Sequence, residues 1–183
     1  KNKVTLFLSS TPLYRKEMNY IIEKMQQCNC LVNYSYHVGQ YLPDWHPWEN
    51  FNDFFIGDKR TNGCREIFAI EFPWMIKAFG EIEDVQVVSS KNTQLNIDYH
   101  DNYLLLLKHK SGHKGMFAVD VVCREAVRKL EVFGENIFIE WQGTVDSLKC
   151  KNINGNIMEN IKLYQKVDKI DGYSSNIIEN SYL

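Results

Sequence analysis

Between Gly39 and Glu49 the chain reads GQYLPDWHPWE, a loop crowded with side chains able to grip a polar ligand. The indoles of Trp45 and Trp48 and the phenol of Tyr41 offer flat apolar faces. Gln40, Asp44, His46 and Glu49 offer directional hydrogen bonds. That mixture suits a sugar ring, which has an apolar face and a rim of hydroxyls. A second group, Arg65, Glu66 and Glu71, interrupts the otherwise apolar run CREIFAIEFPWMIKAF. A buried carboxylate is costly unless paired, so Glu71, flanked by Ile70 and Phe72, is either a satisfied core group or one that faces a ligand. The bland alternatives are that Trp45 and Trp48 pack over a sheet edge and that His37 is a satisfied core histidine.

These residues need elements to hold them. Val32, Tyr34, Tyr36 and Val38 alternate with smaller or polar residues, the period of a half-buried strand, and Gly39 and Pro43 end it. Upstream, residues 4–8 form an apolar strand-like run. Pro12 suits the first turn of a helix with Thr11 as its cap, and Leu13, Tyr14, Met18, Ile21, Ile22 and Met25 form one stripe through Gln27. Packing explains this βαβ-like opening better than a phosphate site does, because the Gly-x-Gly-x-x-Gly fingerprint of a dinucleotide site is absent. Residues 64–79 form a helix that ends at Gly80; apolar on nearly its whole circumference, it should be buried all round and kinked at Pro73. Short runs at 85–90, 95–99, 102–110, 115–123, 128–133, 136–141 and 144–149 follow, with an edge strand at 157–167 and a last helix starting at Tyr173. The turns between the runs leave no room for crossover helices, so these strands pair antiparallel. The expected fold is α+β: an open, mainly antiparallel sheet with helices packed on one face. Its other, apolar face calls for a partner, which points to a homodimer.

With 183 residues, 44% of them hydrophobic, the chain can bury one good core. A net charge of −2 argues against a nucleic-acid partner, and no apolar run is long enough to span a bilayer. Five cysteines at irregular spacing suggest reduced, mostly buried thiols in a cytoplasmic protein rather than a disulfide framework. Cys28-Asn29-Cys30 lacks the second pair that a zinc site needs, so no metal is expected. The charged start and the helix-like final residues suggest a fragment of a longer protein.

In order and spacing, the strand into YHVGQYLPDWHPW, the segment NGCREIFAIEFPWMIKAFG and the hairpin VFGENIFIEW resemble the glucose–fructose oxidoreductase, inositol dehydrogenase and MocA (Gfo/Idh/MocA) family. The resemblance covers nearly the whole chain. It implies that residues 1–30 are the last strand–helix unit of a Rossmann domain. Residues 31–183 would then be a dihydrodipicolinate-reductase-like C-terminal domain that binds substrate and mediates oligomerisation. It further implies NAD(P)-dependent chemistry at a carbon of a sugar, cyclitol or nucleotide-sugar, with NAD or NADP bound by the full-length protein and none by this fragment alone. Asp44, His46, Trp48, Arg65, Glu66 and Glu71 would face the nicotinamide, while Gln40, Tyr41 and Trp45 hold the sugar. The family helix carries an Asp and, four residues on, a His that serves as acid or base. Glu66 and Ile70 stand at those places here, so Glu66, Glu71 or His46 must substitute, or the chemistry is lost. A non-catalytic carbohydrate-binding or assembly module is the alternative.

Overall fold

The structure is a computed structural model that describes residues 10–152, 156–164, 169–170 and 173–174. The expected strand at 4–8 lies outside the described residues, as does most of the expected final helix. Tyr173–Ser174, where that helix was to begin, instead pairs as a short strand (β10) with Lys169–Ile170 (β9).

The stripe around Pro12 folds as two pieces. A 3-10 turn spans Thr11–Tyr14, and α1 (Lys16–Gln27) starts only after Arg15, whose backbone is extended. α1 turns Met18, Ile21, Ile22 and Met25 into the core. α2 (Gly63–Phe79) is capped by the Asn62 side chain, which accepts from the Arg65 N–H at 2.9 Å. It ends at Gly80, whose φ of 94° is one that only glycine adopts readily. It runs through Pro73 without interruption. It is not buried all round: Ala69, Ile76 and Lys77 face solvent, because α1 and the sheet cover it on part of its circumference only.

Among the described residues the main sheet has eight strands, in the order β2-β3-β4-β1-β5-β6-β7-β8. They are β1 (Val32–Gly39), β2 (Ile82–Ser90), β3 (Asn102–His109), β4 (Lys114–Asp120), β5 (Val127–Gly134), β6 (Ile137–Trp141), β7 (Lys149–Asn152) and β8 (Ile157–Asn160). Only β1 and β4 pair parallel; every other pairing in this sheet is antiparallel. Two expected strands are absent. Residues 95–99 form bends, with the Leu95 N–H on the Thr93 hydroxyl and the Ile97 N–H on the Leu95 carbonyl, and residues 144–148 form a turn around Ser147.

Both helices lie on one face. There β1 presents Tyr34, stacked on Phe79 at 4.1 Å, and Tyr36, stacked on Phe117 at 5.2 Å with Trp74 edge-on at 5.5 Å. Burying each such ring contributes roughly 1.5–3 kcal/mol. α1, α2 and the sheet share this single core. The opposite face is open, with Val88, Leu104, Leu106 and Met116 exposed.

The thiols differ from expectation: Cys64 is buried, whereas Cys28, Cys30, Cys123 and Cys150 are half-buried. Among the described residues no helix is long and apolar enough to cross a membrane.

Candidate functional site

A cleft of about 410 Å³ opens where β1 ends and β5 begins. Val38, Gly39 and Gln40 form one wall, Ala126, Val127 and Arg128 another. Glu66, Ile67 and Ile70 of α2 close it, together with Trp45 and the loop Gln142, Gly143 and Thr144. Trp45 is pinned there by its own donor, since Nε1 donates to the Gln40 carbonyl at 2.9 Å. The α2 N-terminus can come this close because Gly63 lacks a side chain; a Cβ there would sit 3.3 Å from the Trp45 ring and 2.9 Å from Val121. The mix of indole face, carboxylate, amide, hydroxyl and guanidinium fits a polyhydroxylated ring.

Glu66 is half-buried in this wall. Burial pushes its carboxyl above the usual range, and the nearby His46 opposes that only in part. A carboxyl shifted upward in this way holds its proton more readily than a free one and can return it to a bound group. Glu71 lies deeper, in the core. Its Oε2 accepts from the Tyr36 hydroxyl at 2.7 Å and the Trp74 Nε1 at 2.6 Å, and its Oε1 is 2.9 Å from Arg128 Nη2. Glu71 is thus a paired core group, its Oε1 held by the Arg128 ion pair rather than by a hydrogen bond, and it meets the cleft through Arg128. Burial and the Glu71 carboxylate hold Tyr36 well above its ordinary value. Below the cleft floor Arg15 continues the network, 2.9 Å from the buried Glu17, stacked over Trp141, and donating to the Gly143 carbonyl at 3.4 Å.

The structure brings Gln40, Trp45 and Glu66 together and disperses the others. Arg65 lines a different cleft, of about 520 Å³, with Lys59, Lys91 and Tyr103. Tyr41 lies under the Arg124 guanidinium, 3.9 Å from the ring centroid. The Asp44 carbonyl accepts from the Gln40 amide. His46 is stacked between Trp48 and Phe54 with its Nδ1 2.5 Å from Glu49, and Trp48 is 76% exposed. The sequence reading missed Arg128, Gln142 and Thr144. A signal for Arg128 existed: it alternates with the buried Leu130 and Val132, which places it on the core face of β5. Among the described residues no group of three or more His, Cys, Asp or Glu side chains could hold a metal ion.

No protein-family model matches the chain, and no curated protein matches it either. Solved structures do match. An oxidoreductase from Thermotoga maritima superimposes with a TM-score of 0.70 at 12% identity, covering 100% of this chain and 51% of that one. A levoglucosan dehydrogenase in complex with NADH and levoglucosan does so at 0.68 and 15%, covering 94% and 52%. The UDP-N-acetylglucosamine 3-dehydrogenase of Acidithiobacillus ferrooxidans gives 0.63 and 13%, covering 98% and 52%. The chain therefore spans about half the length of these structures. The neighbours are Gfo/Idh/MocA-type oxidoreductases, the type the sequence resembles, and at these identities the likeness is one of fold.

Proposed function

We propose that this chain is the substrate-binding and dimerisation portion of an NAD(P)-dependent sugar, cyclitol or nucleotide-sugar oxidoreductase acting in the cytoplasm. The observation that carries the reading is the cleft that gathers Trp45, Gln40, Glu66 and Arg128 at one end of the sheet, in a fold shared with dehydrogenases of such compounds. Trp45 stacks on the apolar face of the ring. Gln40, Gln142 and Thr144 bind its hydroxyls. Glu66 takes up or returns the proton of the reacting hydroxyl, and Glu71 positions Arg128 from beneath. The residues present do not themselves fit a dinucleotide, since no glycine fingerprint occurs among them. The nicotinamide chemistry therefore belongs to the remaining half of such an enzyme, with the boundary between the two units near residue 30.

Titration of this chain with neutral sugars, cyclitols and nucleotide-sugars, followed by tryptophan fluorescence, tests the binding half of the proposal. Saturable binding is expected, weakened about tenfold or more by Trp45→Ala, which corresponds to about 1.4 kcal/mol, and little changed by Trp48→Ala. A folded chain that binds none of them, or a Trp45→Ala variant that binds as well as wild type, would overturn it. A second reading is favoured by one observation: Ile70, which cannot move a proton, occupies the cleft wall where the family resemblance implies a histidine. On that reading the protein is a non-catalytic carbohydrate-binding module. Full-length protein that binds sugar but turns nothing over with either NAD or NADP would establish it.

A further inference from the structure

The turn joining α1 to β1 carries two thiols that the proposed function does not use. α1 ends at Gln27; Cys28 follows as its cap, with its N–H on the Met25 carbonyl at 3.2 Å, and the chain bends before β1 begins at Val32. The bend brings the Cys28 and Cys30 sulfurs to 3.3 Å from each other, and the Cys28 thiol also donates to the Cys30 carbonyl at 3.6 Å. Both residues are half-buried, so small molecules can reach them. The neighbouring strand end keeps the space open: a Cβ on Gly134 would lie 3.2 Å from the Cys30 sulfur and 3.0 Å from the Leu31 carbonyl oxygen. The other cysteines are placed differently. Cys64 is buried, and Cys123 donates to the Glu125 carbonyl at 2.9 Å.

We propose that Cys28 and Cys30 form a dithiol site that reacts with low-molecular-weight disulfides and closes to an intramolecular disulfide. One cysteine thiolate attacks a sulfur of the small disulfide, forming a mixed disulfide and releasing one small thiol. The second cysteine thiolate then attacks the protein sulfur of that mixed disulfide and releases the second small thiol. The two cysteines are oxidised, one small disulfide is reduced to two thiols, and the two cysteine protons end on those thiols. Burial, partly countered by the Cys30 backbone, holds the Cys28 thiol above its ordinary value, so exchange accelerates as pH rises. A bridge across so short a loop constrains little of the unfolded chain. Its effect is local: it fixes the turn by which helix α1 leads into β1, at the proposed boundary between the two units.

The test uses the whole chain and oxidised glutathione. After incubation at neutral pH, free thiols are alkylated and the protein is digested with trypsin. The peptide of residues 25–59 contains Cys28 and Cys30 and no other cysteine. The expected result is a peptide lighter by two hydrogens, refractory to alkylation and restored by reductant. Cys30→Ser should instead trap one glutathione on Cys28 that the wild type does not retain. Glutathione on both cysteines of the wild type, a bridge to Cys64, Cys123 or Cys150, or an unmodified peptide from folded protein would each overturn the proposal.

Discussion

Glu66 and Glu71 share one helix and have opposite fates. Glu71 is surrounded by donors, and removing it strands the Tyr36 hydroxyl, the Trp74 N–H and the Arg128 guanidinium together. Glu71→Ala should therefore cost about 3 kcal/mol in urea unfolding, the range for breaking a buried pair from one side. Glu71→Gln should cost less, because the amide oxygen still accepts. A change under about 0.5 kcal/mol for Glu71→Ala would show that the network contributes nothing net. Glu66 has the reverse balance, since burial disfavours its charged form. The folded state then holds its proton to higher pH than the unfolded state does. Stability falls as pH rises from the ordinary carboxylate range through the raised value, and Glu66→Gln should flatten that slope. On the proposed function, the same substitution in the full-length protein should lower kcat by about 10²–10⁴, the usual contribution of a general acid or base, while changing sugar affinity only slightly. The sequence left Glu71 balanced between core and ligand for a plain reason. Its partners Tyr36 and Arg128 come from β1 and β5, far away along the chain, and nothing local to Glu71 announces them.

At the scale of elements, the contact between β4 and β1 is where backbone and side chain are most tightly coupled. The Tyr34 ring lies against Gly115, where an added Cβ would be 2.0 Å from the ring. Gly115→Ala must push that ring off Phe79 and out of reach of His109 Nε2, now 2.8 Å from the Tyr34 hydroxyl. We expect a loss of about 1–3 kcal/mol, the usual range for overpacking, detectable as a lowered urea midpoint. His109 also gives the fold a pH dependence. Its Nδ1 lies 2.7 Å from the Gly80 carbonyl, which can only accept, so Nδ1 carries the proton and Nε2 accepts from Tyr34. Burial lowers its proton affinity, partly countered by the Gly80 bond, and His113 shifts the same way. The unfolded chain therefore binds more protons than the folded one just below the ordinary histidine range. Stability should fall as pH drops below about 6.5, and less steeply in His109→Gln. A urea midpoint flat from neutral to mildly acidic pH would contradict this. α2 and most strands were legible as elements, since periodicity reports burial and their turns are marked by Gly, Asn and Asp. The runs at 95–99 and 144–148 alternate like strands, but their backbone donors bond locally instead of to a neighbouring strand: Leu95 N–H to the Thr93 hydroxyl, Ile97 N–H to the Leu95 carbonyl and Thr144 N–H to the Ser147 hydroxyl. Alternation alone does not distinguish those two outcomes.

For the molecule as a whole, close spacing of strands made an open antiparallel sheet legible. The insertion of β1 between β4 and β5, parallel to the former, was not, because only long-range pairing decides it. That insertion has a consequence for assembly. It centres the sheet on β1 and covers one face with α1 and α2, leaving the other face to β2, β3 and β4. On that face Val88 is 70% exposed, Leu106 55%, Leu104 51% and Met116 50%. A groove of about 440 Å³ runs between Leu106, Met116 and Phe133. Side chains this apolar, contiguous and flanked by the Lys108–Glu83 ion pair are better matched by an identical face than by water. A two-fold pairing of sheets would place Leu106 near its centre. Leu106→Glu should then turn a dimer into a monomer in sedimentation velocity, with the monomer's own unfolding changed by no more than about 0.5 kcal/mol, as for an exposed site. Leu106→Met, which keeps the apolar volume, should remain dimeric. The mutant pair separates an interface from a merely apolar surface: a wild type that is monomeric at high concentration, or a Leu106→Glu variant that still dimerises, rules out this face as the contact between copies.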